Sequence, residues 1–182
     1  MIKIRSESSE VLYPDEDIVV VASEDLKELK RLALLNPRQR VRLCTHRSPN
    51  DRLHEMFIVH TQDCYVRPHK HLQKIESMAI LEGEVDVVLF HESGSIRQII
   101  QVGAPDTGKN FYQRLPEEIY HMLIIRTEFL IFHEITEGPF LREDTVFPDW
   151  APVGQGESSK AFFDHIELLI RKKGEHTRAR KF

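Results

Sequence analysis

Cysteine is nearly missing from this chain. Cys44 and Cys64 are the only two in 182 residues, too few for a disulfide framework, so a reducing, cytoplasmic setting is expected. Long apolar runs are missing as well. None approaches the ~20 residues a membrane-spanning helix needs, and the opening MIKIRSESSE has no apolar stretch of the secretory kind. Nor is there an excess of positive charge. The formal net charge is −4, which gives no reason to expect nucleic acid as a partner. A phosphate cradle is lacking too: GAPDTGKN at 103–110 has two glycines and a lysine, without the P-loop spacing or a following helix. At 41% hydrophobic and 30% charged residues the chain reads as a soluble globular domain with extensions, long enough to bury a real core.

Histidine is what stands out. There are ten, and half of them, His46, His54, His69, His71 and His121, lie in or beside short patterned segments. His69 and His71 are two apart, a spacing that on a β-strand turns both rings to one face. Glu76 follows on the same strand continued or on its neighbour. Farther on, PEEIYH at 116–121 is a proline-led turn into an apolar strand, able to bring His121 as a third imidazole. Three neutral imidazoles and a carboxylate suit one first-row divalent ion, with Zn, Fe, Mn and Ni all open. Glu76 either ligates the ion directly or hydrogen-bonds a ligand histidine.

These residues carry a family resemblance. The first cupin motif, G-x5-H-x-H-x3-4-E-x6-G, is matched in spacing by His69, His71, Glu76 and Gly83, with Asp63 at the leading glycine position. Of the second motif, G-x5-P-x-G-x2-H-x3-N, Pro116 and His121 match, while Asn110, Glu118 and Ile125 replace the glycines and the asparagine. Within the cupins the chain resembles the WbuC-type metalloproteins, through RVRLCTH at 40–46, HEM at 54–56, YVRPHKHLQKIES at 65–77, HEITEGPF at 133–140 and WAP at 150–152. The resemblance covers roughly residues 23–153. It implies a small β-barrel holding a metal, and a setting in bacterial surface-polysaccharide gene clusters.

The remaining pattern predicts a mainly all-β fold: a single jelly-roll barrel with a short helix before it and a helix after it. Residues 1–22 read as an arm, 23–153 as the metal-binding domain and 154–182 as a helical extension with a basic tail. Ile18–Ala22 is a candidate strand. Ser23 is expected to cap a helix whose Leu26, Leu29, Leu32 and Ala33 form one stripe, stopped by Asn36-Pro37. Period-two alternation begins at residue 39, with Arg40, Arg42, Cys44 and His46 opposite Val41 and Leu43. Glu82-Gly83-Glu84 signals a tight hairpin. Val85, Val87 and Leu89 oppose Val88 and Phe90, so a sheet, a helix or a second subunit must cover the outer set. Loop 103–110 is expected at a barrel mouth. Trp150 is expected to pack back on the barrel. Ser158 or Ser159 is expected to cap a last helix with the stripe Phe162, Phe163, Ile166, Leu169 and Ile170, closed by Gly174.

Five further residues are candidates for the chemistry. Arg42 and Lys74 can hold a negative group, Lys74 equally reading as a surface lysine; Tyr65 can bind substrate or simply pack. Glu134 and His46 can move protons, although a salt bridge is the commoner role of a residue like Glu134. Together these imply a metalloenzyme acting on a small, anionic, oxygen-rich molecule, a sugar or sugar derivative, by isomerisation or epimerisation. A non-haem iron dioxygenase and a non-catalytic metal-dependent binding module stand as alternatives. No nucleic acid or membrane partner is expected, and a homodimer is, because strands apolar on both faces need cover.

Overall fold

Strand alternation sets the architecture. The computed structural model describes residues 2–179, with side chains as far as Lys173. Its strands are β1 (Ile4–Ser6), β2 (Val11–Pro14), β3 (Arg40–Cys44), β4 (Leu53–Thr61), β5 (Lys70–His71), β6 (Glu76–Glu82), β7 (Glu84–Phe90), β8 (Ile96–Gly103), β9 (Tyr112–Leu115), β10 (Tyr120–Ile125), β11 (Phe129–Glu137) and β12 (Thr145–Val146). Seven form one sheet in the order β1-β2-β3-β4-β11-β6-β9, three form a second in the order β10-β7-β8, and β12 pairs with β5. A backbone bridge between His69 and His121 joins β5's segment to β10. The fold is mainly β, a jelly-roll-like sandwich with two helices.

The inner faces meet in one core. Val85, Val87 and Leu89 of β7 pack with Met56, Ile58, Met78, Ile80, Leu130 and Phe132 from the larger sheet. The intervening residues face outward, and each outer face has its own helix. Helix α1 (Ser23–Leu35) buries Leu29 and Ala33 against Val41, Leu43, Val59 and Ile131. Helix α2 (Glu157–Ala179) lays Phe162, Phe163, Ile166, Leu169 and Ile170 on Val88, Phe90, Met122 and Ile124. Each fully buried side chain of this size contributes about 1.5–3 kcal/mol relative to exposure. Both stripes are those the helical period marks. The covering of β7's outer face is thus a helix of the same chain, and Trp150 joins it, its ring against Phe90, Tyr120 and Phe162. Arg126 fastens α2 electrostatically: its Nη2 donates to buried Asp86 Oδ2 at 2.6 Å, and its Nη1 to Glu167. Among the described residues no helix is long and apolar enough to cross a membrane.

Several local expectations are corrected. Glu82-Gly83-Glu84 is no hairpin, because β6 pairs with β11 and β9 whereas β7 pairs with β10 and β8. Gly83 turns the corner between the two sheets at φ +85, pressed so close to β11 that an added Cβ would lie 2.1 Å from the Phe129 carbonyl oxygen. Ile18–Ala22 forms no strand; Ile18 and Val20 are exposed. Instead β1 and β2 extend the larger sheet, β2 running parallel to β3, and Tyr13 reaches the inner core. Ser23 does not cap α1. The cap position is Ala22, and Asp25 reaches back to accept its N–H at 2.8 Å, an arrangement that with the Ile2 N–H holds the Asp25 carboxyl below its usual range. Helix α2 begins at Glu157, and Ser159 in its first turn accepts the Gly156 N–H at 2.9 Å. Gly174 does not close that helix, which continues to Ala179; the basic tail's side chains lie outside the described residues. Loop 103–110 follows β8 at the Glu84 end of β7, and His121 pairs with Leu89 toward the other end.

One inward residue has a cost that depends on pH. His60, opposite Arg40 in register, is 6% exposed and its Nδ1 has no hydrogen-bond partner. Burial, then the charges of Arg40, Arg42 and Arg38, push its pKa from 6.5 down to about 3. The unfolded chain therefore takes a proton that the fold refuses. The stabilising difference is complete above pH 6.5 and is lost as pH falls toward 3, a total of several kcal/mol.

Two outcomes are expected. Gly83→Ala should lower the free energy of unfolding in urea by at least about 2 kcal/mol, from a positive φ plus a backbone clash; a change under half that would contradict the corner. His60→Gln should flatten the loss of stability between pH 6 and 4 relative to wild type, read from urea midpoints at each pH, and parallel slopes would show that His60 does not cause it.

Candidate metal centre

The histidines converge because backbone pairing puts them side by side. His69 and His121 exchange both backbone hydrogen bonds, His69 N–H to His121 O at 3.1 Å and the reverse at 2.9 Å. Directly opposed residues of an antiparallel pair share a face, and the two ring centroids stand 4.5 Å apart. His71 joins them from β5. The turn leading to β10 is held to the same segment, Glu118 N–H donating to His71 O at 2.9 Å. Glu118 stands where the second cupin motif has a glycine and adopts φ +64, the left-handed backbone a glycine takes at lower cost. The motif's turn survives its missing glycine.

Ligand nitrogens of His69, His71 and His121 lie within 4.8 Å of one another. Glu76, the first residue of β6, completes the set, with Oε2 3.2 Å from His71 Nε2 and Oε1 3.8 Å from His121 Nε2. Nδ1 of His69 is 2.8 Å from Arg67 O, and Nδ1 of His121 is 3.0 Å from Ile119 O. A carbonyl can only accept, so these two Nδ1 atoms carry protons, and Nε2 is the nitrogen each ring has left to ligate with when neutral. The His71 Nδ1 lies 3.3 Å from the Thr145 hydroxyl.

Charge sharpens the case. Burial, then the neighbouring imidazoles, pushes His69 down to about 3, so it is neutral and fit to ligate. Burial alone would raise the Glu76 carboxyl, but the surrounding histidines outweigh it and hold Glu76 well below the usual range. The donor set fits a divalent ion, bound with outer hydrogen bonds of the kind that orient ligand histidines.

Glu134 lies one step inward. On β11 it stands opposite Met78, two pairs from Thr136–Glu76. Burial first, then the Glu76 charge, raises its carboxyl, and Arg42 only partly counters this. Two carboxyls sharing a site are driven apart in this way, one ionised and one protonated. Arg42, on the barrel-facing side of β3, is partly exposed and its guanidinium makes no hydrogen bond or ion pair among the described residues.

The other candidates are placed elsewhere. Lys74 stands before β6; its Nζ donates to Pro139 O at 2.5 Å and pairs with Asp144 at 3.0 Å. His46 stacks on His54 at 4.0 Å, its Nδ1 3.2 Å from both the N–H and the carbonyl of Glu55. Tyr65 packs in the cluster beneath α2 and donates to Pro152 O at 3.2 Å. Cys44 is buried in the inner core, as is Tyr13. Thr145 was not legible as a partner of His71: it lies 74 residues downstream, and no local pattern marks it.

Residues 21–102, a little under half of the chain, match a family described as a domain of unknown function, DUF6016. Among curated proteins no match is found. Among solved structures, protein SO0799 from Shewanella oneidensis is similar at 12% identity and TM-score 0.49, over 58% of this chain and 72% of that one. CapF, described as a capsular polysaccharide assembling protein from Staphylococcus aureus, has 16% identity and TM-score 0.48 over 59% of this chain and 29% of its own. Oxalate decarboxylase of Lactobacillus farciminis has 15% identity and TM-score 0.43 over 53% and 27%. The chain therefore spans under a third of the last two. At these identities and TM-scores the likenesses carry no functional argument.

Thr145→Val removes the hydroxyl on His71 while keeping the side-chain shape. Its affinity for zinc, by competition with a chromophoric chelator, should fall about 10- to 100-fold, and Thr145→Ser should restore most of it. Unchanged affinity in the valine variant would show that the Thr145 hydroxyl does not orient His71.

Proposed function

We propose that this chain is a cupin-type metalloenzyme in which His69, His71, His121 and Glu76 hold one divalent ion, and that it acts on a small, anionic, oxygen-rich molecule, a sugar or sugar derivative. The observation that carries the reading is the clustering of three histidines and a carboxylate in a barrel whose inner face also carries Arg42, a guanidinium with no hydrogen bond or ion pair among the described residues. A partly buried cation without a partner is costly, and an anionic ligand relieves that cost. The ion, when bound, supplies Lewis-acid polarisation of a ligand oxygen. Arg42 holds the negative group. Glu134, raised above the ordinary carboxyl range, keeps a proton to give and can take one back, the requirement for isomerisation or epimerisation next to a carbonyl. The surface-polysaccharide setting rests on the WbuC resemblance alone.

Metal analysis of untagged protein tests the foundation. One equivalent of divalent metal is expected, and His69→Ala with His71→Ala should abolish it; full retention would overturn the proposal. Arg42→Ala should keep metal and fold while weakening citrate binding by about tenfold or more, in keeping with a charge-assisted contact. Iron accompanied by ligand-dependent oxygen consumption would replace isomerisation with oxygenation.

A further inference from the structure

The chain that runs past the metal site carries exposed apolar side chains that the centre itself does not use, Phe147 being 5.9 Å from His69. Phe140, Leu141 and Phe147 are 54%, 45% and 45% exposed, and all three belong to the segment that leaves β11 and passes through β12. That segment is fastened at many points. Phe140 N–H donates to Pro49 O at 2.7 Å, Leu72 N–H to Asp144 O at 2.8 Å, and Lys74 binds both Pro139 O and the Asp144 carboxylate. The Thr145 hydroxyl meets His71 Nδ1. It is a strap laid across the histidine segment.

Two of the rings lie beside charged side chains. The Phe147 centroid is 5.9 Å from that of His69, and the Arg67 guanidinium lies 4.7 Å from the Phe147 ring. The Lys74 ammonium lies 6.0 Å from the Phe140 ring. Exposed aromatic rings on a fixed backbone lose little conformational freedom when something covers them, so covering them is favourable. Three partly exposed side chains fall far short of the roughly 800 Å² per partner that a stable protein interface needs. Their extent fits a small molecule, and Phe147 adjoins the proposed anion-binding centre.

We propose that this strap forms a second subsite, which takes the apolar face of a hydroxylated ring attached to the anionic group: a sugar acid rather than a short carboxylate. The inference rests on the proposed anion-binding metal centre and extends it outward. A purely aliphatic body is disfavoured by the charges interleaved with the rings, Arg67, Lys74 and Asp144. Those groups hydrogen-bond ring hydroxyls instead. Phe140 and Phe147 thereby select the body of the ligand, while Arg42 and the metal ligands select its charge.

The test is calorimetric titration of zinc-loaded full-length protein with D-glucuronate and with acetate. Wild type should bind glucuronate about tenfold or more tighter than acetate. Phe140→Ala, which leaves the metal ligands untouched, should lose about five- to tenfold for glucuronate, with acetate affinity and zinc content unchanged. Phe147→Ala should do the same, and Phe147→Tyr should retain the preference, separating lost stacking from disturbed folding. Equal wild-type affinity for the two probes overturns the subsite but leaves the anion site standing. A preference that survives both alanine variants overturns it as well. If neither probe binds, the anion site fails and the subsite falls with it. Self-association of wild type that Phe140→Ala abolishes would assign the patch to a second copy and also overturn the proposal.

Discussion

The two hydrogen bonds between the backbones of His69 and His121 are the constraint on which the rest of the site depends. They join a segment only two residues of which count as strand to one edge of the smaller sheet, and in doing so they set two imidazoles shoulder to shoulder. Glu76 needs no such device, because it begins a regular strand of the larger sheet that is paired on both sides, with β11 and with β9. The donor cluster therefore spans the two sheets, two histidines from the seam and a carboxylate from across it. Any change that let the sheets slide relative to one another would pull the donors apart before it exposed the core.

The inner wall is polar where it can least afford to be, and its arrangement explains why. A carboxyl held ionised by imidazoles, a second carboxyl driven toward protonation and a guanidinium with no partner share one barrel interior. Each would be a liability alone. Together they form a polar cluster that could hold a cation among its histidines. A core selected only for stability would have placed apolar side chains at these positions, as it has at Met78, opposite Glu134, and at Ile80 and Phe132 two pairs along.

What the sequence disclosed follows physical locality. The histidine pair, Glu76 and His121 are readable because their spacing is short and their strands regular. The two helix stripes are readable because 3.6 residues per turn leaves a pattern inside thirteen residues or so. The switch at Gly83 was not readable: a glycine between two apolar strands gives the same local signal whether the strands pair or part, and only β11's approach decides it. The parallel pairing of β2 with β3 spans the whole of α1, and the contact of Thr145 with His71 spans four strands and more; neither leaves a local trace. Glu118 shows the converse. A consensus glycine can be absent while its backbone conformation is kept, so a degenerate motif need not mean a degenerate turn.

The helix that covers the smaller sheet has a bearing on how the chain is made. Val88, Phe90, Met122 and Ile124 leave the ribosome well before Ile166 and its helical neighbours, which cover them. Throughout that interval a two-faced apolar sheet stands open on one side, and the Asp86–Arg126–Glu167 clasp is incomplete. Nascent chains at this stage offer chaperones a flat, greasy target, and a stalled or truncated product lacking the last helix would be recognised as unfinished for the same reason.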